Sequence, residues 1–538
     1  MSQSSRRALR KWGIPKLEYP VTQHLRALLQ ERLGIDPERR HLEGHEPLPP
    51  LPPSQLDEAA LQALRQLVGA DGLELSDEAR ARCAAGSTFL DLLQARAGLI
   101  GNVPDAVLYP SSEAQLSAIL SFCHQETIPV CPVGARSSVT MGVGAPRGGV
   151  ALDLCRALNR VLEVSPRDHL ARVQPGLLGP DYETALASFD LCGGHYPQSF
   201  EYSSVGGWIA ARGAGQQSTR YGKAEDLLLG LRCVTPTGVV QVAPYERCAM
   251  GPDLRQLFAG SEGSLGVLSE LSLRVFQRPP CVQPVAFFFK DMEHGVDFVR
   301  RWLQEDGIRP AVCRLSDPEE TDIALAIDGR AHGFTDKALS KLGYHPGHRV
   351  LFIGSCEGDQ ASARLGALRG TALALRLGGL PLGSHPYRSW EKRRFFDPYL
   401  RDALMDRGVL IDTLETTAPW SRLLELWQGV RRSMKARPQT IAMTHISHAY
   451  ATGANLYFIF ISPMQPGAEL EDYQSYHSSL LDAIQEYGGA LSHHHGVGRL
   501  FAPRLAAQLG AGAIRCLKAL KAELDPKGIM NPGVLALD

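Results

Sequence analysis

Ile128-Pro-Val-Cys-Pro-Val-Gly-Ala-Arg-Ser-Ser138 decides how the middle of the chain is read. Its first six residues are apolar or proline and read as a strand, which runs straight into a short Gly/Ser loop. Such a loop presents successive backbone N–H groups in a concavity with hydroxyls beside them, and that arrangement binds phosphate oxygens. The pattern is neither the G-x-G-x-x-G of a dinucleotide fold nor a Walker loop, and an ordinary strand-to-helix turn uses the same residues. Two further stretches have the same texture. Gln198-Ser-Phe-Glu-Tyr-Ser-Ser-Val-Gly-Gly-Trp208 is followed by Arg212 and Gly213, and Gly260-Ser-Glu-Gly-Ser-Leu-Gly-Val267 enters another strand. Paired glycines let backbone lie flat against a planar ligand. Three such loops favour one large phosphate-bearing cofactor over three coincidental turns.

The surroundings of these loops are mixed in character. Residues 106–110 read as a strand, and Ser111-Ser-Glu-Ala114 opens a serine-capped helix ending near His124. Further strands are expected at 149–154, 160–164, 170–174 and 228–234. Helices among strands make residues 101–279 an α+β domain. Beyond Pro279-Pro280 a second α+β unit, 280–538, opens with a strand over 282–289 and contains the unusually apolar Tyr457-Phe-Ile-Phe-Ile461. It closes in a turn-rich tail, 524–533. Residues 1–100 read as an accessory helical extension: helical spacing over 21–33 and 56–67 flanks Glu46-Pro-Leu-Pro-Pro-Leu-Pro-Pro53, a stiff spacer rather than an SH3-type ligand.

Composition sets the bounds. The 538 residues exceed the ~250–300 at which one core stops growing, so two or more domains are expected. With 44% hydrophobic and 21% charged residues the chain is neither disordered nor fibrous. Lys+Arg 56 against Asp+Glu 57 argues against a nucleic-acid partner. No stretch approaches ~18 apolar residues, the N-terminus lacks a signal core, and Ala536-Leu-Asp538 is not a peroxisomal tripeptide. A cytoplasmic protein, at most peripheral at a membrane, is expected. The 11 cysteines form no C-x-x-C pair, which points to reduced thiols and no metal.

Chemistry is concentrated late in the chain. His493-His-His495 precedes Gly496 and is expected at a strand end, with His493 and His495 on one face. Imidazoles near pKa ~6.5 suit proton transfer. A metal site and a structural cluster stay open, although no carboxylate partner is evident. Tyr457 is either a core aromatic or an acid/base group. Arg314 and Arg401 read as surface or ion-paired arginines.

Residues 104–268 resemble the FAD-binding domain of the vanillyl-alcohol oxidase / p-cresol methylhydroxylase (PCMH-type) superfamily. Over about residues 104–531 the resemblance is closest to its alkyl-dihydroxyacetonephosphate synthase (alkylglycerone-phosphate synthase) group. It is carried by residues 196–208, Arg220-Tyr-Gly-Lys-Ala-Glu-Asp-Leu227, Val234-Thr-Pro-Thr-Gly238, Glu415-Thr-Thr-Ala-Pro-Trp420, Tyr457-Phe-Ile-Phe460 and Leu491-Ser-His-His-His-Gly-Val-Gly498. The resemblance implies an α+β fold with a PCMH-type two-subdomain FAD-binding domain and an α+β cap (substrate) domain to which the N-terminal helical extension is added. It implies that Pro132, Val133, Gly134, Ala135, Arg136, Ser137 and Ser138 cradle the FAD pyrophosphate. Gln198, Ser199, Phe200, Glu201, Tyr202, Ser203 and Ser204 would hold the rest. So would Ala211, Arg212, Gly213 and Ala214, and Glu262, Gly263, Ser264, Leu265, Gly266, Val267 and Leu268. The family loop has three consecutive glycines where this chain has Gly134-Ala135-Arg136, and an acidic residue where it has Gln198. With no histidine in the first loop, a covalent histidyl-flavin there is excluded and FAD is expected to be non-covalent.

The reaction implied by the resemblance exchanges the acyl chain of acyl-dihydroxyacetone phosphate for a long-chain alcohol. The family's flavin bonds the substrate carbon through N5 without net redox change. Tyr457, His493, His494 and His495 would move the C1 proton, and Arg401 would hold the substrate phosphate. Arg314, His195 and Thr413 would line the cleft, Thr413 standing where the family usually has serine. Lipid substrates imply transient membrane contact, and a homodimer is compatible with the resemblance. Two alternatives remain: an FAD-linked 2-hydroxy acid (D-lactate or glycolate) dehydrogenase or oxidase, and a non-catalytic flavin-binding scaffold. The first usually carries glutamate where this chain has His494; the second is motivated by Ala135, Arg136 and Gln198.

Overall fold

The computed structural model describes residues 7–14, 17–45, 47–305, 307–327 and 334–538. The first sheet contains β1 (Leu73–Glu74), β2 (Ala106–Leu108), β3 (Val130–Val133) and β4 (Val150–Asp153) in the order β1-β2-β4-β3. β4 pairs in parallel with both β2 and β3. The helix Glu113–Glu126 crosses from β2 to β3, the two strands that flank β4, its first turn capped by the Ser112 hydroxyl accepting from Gln115 N. Ile119, Val130 and Val150 share this core with Ile529 and Met530 of the C-terminal tail, where Met530 bridges to Val130.

β5 (Val161–Ser165), β6 (Leu170–Val173), β7 (Leu191–Cys192), β8 (Leu228–Thr235), β9 (Gly238–Val242), β10 (Val267–Arg274) and β11 (Phe276–Gln277) follow. Five of them form an antiparallel sheet ordered β5-β6-β10-β8-β9, and β7 pairs with β11. The third sheet has seven antiparallel strands: β12 (Cys281–Phe289), β13 (Val312–Ser316), β14 (Val350–Gly358), β15 (Leu380–Pro381), β16 (Val409–Pro419), β17 (Ile441–Ile446) and β18 (Gly453–Pro463). Their order is β15-β12-β14-β13-β17-β18-β16. The whole is α+β, as the pattern of elements predicts.

The first hundred residues are more than accessory. The helix Gln23–Leu33 turns Leu25, Leu29 and Leu33 into the core of the seven-stranded sheet. The helix Glu58–Val68 instead turns Leu61 and Leu64 into the core of the first sheet. Each apolar stripe has helical spacing and is covered by a different sheet, so the extension joins the two units.

Candidate active site

The three glycine-rich loops meet at one cavity of about 540 Å³. Pro132, Val133, Gly134, Ala135, Arg136, Ser137 and Ser138 all line it, as do Gln198, Ser199, Ser203, Ser204, Ala211, Gly213, Ala214, Glu262, Gly263, Gly266, Val267 and Leu268. Six expected cofactor residues do not. Phe200 is drawn into the second sheet's core beside Trp208, and Leu265 lies in the same core. The Tyr202 hydroxyl accepts from Tyr399 Oη at 3.3 Å, and Glu201 is exposed. Arg212 pairs with Glu225 at 3.4 Å, and the Ser264 hydroxyl donates to Ser261 O at 2.7 Å. These residues shape the loops from behind.

The departure at Arg136 has a physical consequence. Its φ is +62°, a conformation glycine adopts without strain and other residues rarely adopt. Its guanidinium Nη1 donates to Arg82 O at 3.2 Å. Gly134 is needed for a different reason: a Cβ there would stand 2.4 Å from Ser204 Oγ. That oxygen caps the helix Val205–Ala210 by accepting from Gly207 N at 3.3 Å. Gly134→Ala is expected to sacrifice this cap or shift the loop, weakening FAD binding by roughly 1 kcal/mol, about fivefold. Titration of flavin fluorescence measures this, and an unchanged affinity would contradict it.

A further part of the cavity wall is built on β16, β18 and β17. Their register places Glu415, Tyr457 and His445 in one cross-strand row, then Thr413, Ile459 and Met443, then Ile411, Ile461 and Ile441. Residues two apart share a face, so the rows run from polar to apolar over ~7 Å steps. Tyr457 donates to Thr413 Oγ1 at 3.2 Å and stacks on His445 at 4.9 Å. Burial pushes its phenol up to about 12.

The triple histidine is not on a strand. Residues 491–498 form a bent loop, so the expected alternation fails, and the reason is Glu415. This carboxylate is 2% exposed and accepts from His493 N at 2.7 Å, His494 N at 3.1 Å and His495 N at 3.0 Å. It also accepts from Ser492 Oγ at 2.7 Å. A charge buried among so many donors pulls the backbone into a turn around itself. Against the upward pull of burial, the neighbouring histidines, His494 foremost, hold Glu415 well below the carboxylate range.

His494 and His495 line the cavity; His493 lies behind them. His493 is bonded through Nε2 to Tyr450 Oη at 2.8 Å and through Nδ1 to His494 Nδ1 at 2.9 Å. Glu415, His493 and His494 could bring one ligand atom each within 4.8 Å of the others. Hydrogen bonds occupy the carboxylate and both ring nitrogens of His493. Burial lowers the His493 imidazole well below its usual value and brings His495 to about 4.

The remaining expected residues separate. Arg401 lines the cavity, donates through Nη1 to Ser87 O at 2.8 Å, and has Nη2 buried with no partner among the described residues. Arg314 also reaches the wall, but its Nη2 lies 2.6 Å from Glu320 Oε1 and 3.0 Å from His445 Nδ1. Against burial, His445 and Arg314 hold Glu320 down to about 2. Arg314 is therefore spent on an internal carboxylate. His195 stands behind the wall, 2% exposed, its ring tilted against Trp208 at 4.7 Å and both ring nitrogens without a partner among the described residues. Burial brings it to about 3.

Sequence reasoning missed Glu415 as a partner, and it missed His445, His448 and the N-terminal Trp12, all three of which line the cavity. The signal for two of them was available in Met443-Thr-His-Ile-Ser-His448, where both histidines fall at a strand end. The cavity also fits FAD. The loops converge on one space, and Gln216 Oε1 is buried in its wall with no partner among the described residues.

Comparison with known proteins agrees with this geometry. Residues 104–243 match the family described as FAD binding domain, and residues 278–535 match FAD linked oxidases, C-terminal domain. The alkyldihydroxyacetonephosphate synthase of Dictyostelium discoideum is 31% identical over 498 residues, covering 89% of this chain and 81% of the relative. This chain belongs to the alkyldihydroxyacetonephosphate synthase family. A solved alkyldihydroxyacetonephosphate synthase superposes with a TM-score of 0.84 at 26% identity, covering 99% of both chains. p-Cresol methylhydroxylase shares the fold at a TM-score of 0.69 and 17% identity, covering 90% of this chain and 98% of its own. The protein is thus an FAD-dependent synthase-family enzyme with the PCMH-type two-domain fold.

Proposed function

We propose that this synthase-family chain exchanges the acyl group of an acyl-dihydroxyacetone phosphate for a long-chain alcohol, yielding an ether lipid precursor and a free fatty acid. The observation that carries the reading is the polar-to-apolar face of β16, β18 and β17 within the cavity that the glycine-rich loops also line. A phosphate-bearing headgroup suits Arg401 Nη2, a buried donor with no partner among the described residues. A hydrocarbon chain suits Ile411, Ile459 and Ile461, together with Leu25, Leu28, Ile323 and Ile327, which also line the cavity. No described helix is long and apolar enough to cross a membrane, and substrate is taken up from a micelle or membrane surface in this proposal.

FAD held by residues 132–138 with Ser203, Ser204, Gly263 and Gly266 would supply a nucleophilic ring nitrogen to the exchange. The residues around it handle protons. At neutral pH the Tyr457 phenol is neutral and donates to Thr413, while His495 is a neutral imidazole able to accept. His494 and His495 take the C1 proton and return it, while Tyr457 donates a hydrogen bond to the departing carboxylate, which receives the proton given up by the incoming alcohol's hydroxyl. Glu415 fixes the loop bearing the histidines, and the apolar rows exclude water from the reacting carbon.

A base acts only while unprotonated, so activity falls as pH drops through the pKa of His495. The kcat/KM profile is expected to be level from about pH 5 to 9 with an acid limb near 4, as His495 implies. A limb at the ordinary histidine value of ~6.5 would contradict it. The phosphate assignment has its own test. Arg401→Ala is expected to raise KM for acyl-dihydroxyacetone phosphate by about 100-fold, leaving KM for the fatty alcohol within about twofold. Equal effects on both substrates would remove Arg401 from the headgroup.

A further inference from the structure

Residues 7–14 pack against both the first glycine-rich loop and the helix that carries Arg401, and Trp12 lines the cavity. Arg7, 3% exposed, donates through Nη1 to Ala135 O at 2.9 Å and Arg136 O at 2.7 Å. These are carbonyls that must turn away if the N–H groups of the same loop are to face a diphosphate. Arg7 Nη2 also contacts Ser87 Oγ. Ser87 is itself a junction. Its hydroxyl donates to Arg136 O at 2.9 Å and its N–H to Ser138 O at 2.6 Å, while its carbonyl accepts from Arg401 Nη1 at 2.8 Å. The approach is close enough that a Cβ on the preceding Gly86 would fall 2.6 Å from Ser138 O.

The same segment grips the helix that carries Arg401. The Trp12 ring has two guanidinium groups over it, 5.1 Å away for Arg7 and 5.5 Å for Arg401. Trp12 N donates to Asp402 Oδ2 at 2.7 Å, next to Arg401 on the helix Leu400–Met405. Arg96 pairs with Asp402 at 2.6 Å and Asp406 at 2.7 Å, and donates from Nε to Arg10 O at 3.0 Å. Arg136 and Arg401 are near enough to Arg7 to oppose its charge, as burial also does. A polyanion seated against this group relieves that repulsion.

We propose that Arg7 and Ser87 are positioning residues that tie the diphosphate loop to Arg401, so that cofactor binding and substrate-phosphate binding strengthen each other. The proposal rests on the reading of residues 132–138 and Arg401 given above. Linkage then requires each ligand to raise the other's affinity by the same factor.

The test compares wild type, Arg7→Ala, Arg7→Lys and Ser87→Ala as FAD-loaded proteins. FAD release on dilution is followed by flavin fluorescence, and dihydroxyacetone phosphate binding by calorimetry. Arg7→Ala is expected to weaken both ligands about tenfold, with Arg7→Lys recovering part of each loss and Ser87→Ala weakening both about threefold. A merely structural role would lower the melting temperature and leave both constants of the folded protein unchanged. Wild-type FAD affinity in folded Arg7→Ala overturns the proposal. If Arg7→Ala does not fold, wild-type FAD affinity in both Arg7→Lys and Ser87→Ala overturns it. Absence of dihydroxyacetone phosphate binding in wild type would instead sink the substrate reading, while the FAD arm still judges Arg7.

Discussion

Tyr457→Phe is expected to lower kcat by about 100- to 10,000-fold while FAD remains bound with wild-type affinity. The substitution removes one oxygen and keeps the ring that stacks on His445 at 4.9 Å, so packing of β18 is retained. β18 is almost wholly buried; Tyr457 and Ile459 are its two partly accessible interior positions, and both line the cavity. A phenol held up near 12 by burial stays protonated throughout the working range and can donate at every turnover. KM for the phosphate substrate is expected to change little, since Arg401 is untouched. Rapid-quench measurement of ether-lipid formation separates these parameters. A variant that keeps more than about a tenth of wild-type kcat would show that Tyr457 only packs.

Glu415→Ala is expected to cost about 3–5 kcal/mol of stability and to reduce activity about 1000-fold. Three backbone N–H groups and the Ser492 hydroxyl share this one buried carboxylate, and removing it strands all of them. His494 and His495 then lose the turn that presents them to the cavity. Glu415→Gln retains one acceptor oxygen but places an NH2 against backbone donors, so a smaller loss of stability and a similar loss of activity are expected. The acid dependence follows from the sign of the shift. The folded-state pKa of Glu415 lies below the usual carboxylate value of 4.5. Its stabilising contribution is therefore complete above about pH 4.5 and disappears as pH falls through the folded-state pKa. The stability gap between wild type and Glu415→Ala should narrow in acid. Denaturant titration at neutral and acid pH measures it, and a gap independent of pH would contradict the role of the charge.

The fold was legible because its loops are punctuated. The strand before Gly134, the serine cap at Ser112 and the apolar β18 each have local signals, and the structure places elements at all three. Local signals fail where a distant group sets the backbone. Nothing within residues 491–498 reveals that Glu415, 78 residues before His493, gathers their N–H groups, so a strand was the natural expectation. Arg314 looked interchangeable with Arg401 until Glu320, six residues on, claimed its guanidinium. The N-terminal extension looked accessory because its stripes are ordinary helix faces. Only the three-dimensional packing brings Trp12, Tyr19, Leu25 and Leu28 to the cavity. Most of the loop residues expected around the cofactor line the cavity, whereas the large side chains of Phe200, Tyr202 and Leu265 turn into cores or a hydrogen bond instead.

The central claim is that this site exchanges chains without net oxidation. The most direct measurement supplies FAD-loaded protein with acyl-dihydroxyacetone phosphate and a fatty alcohol in micelles, recording products and flavin absorbance together without oxygen. Ether lipid and free fatty acid are expected in equal amounts, with the flavin oxidised at the end of the reaction. No ether lipid, together with bleaching of the flavin by a 2-hydroxy acid, would contradict the account and make the protein a dehydrogenase.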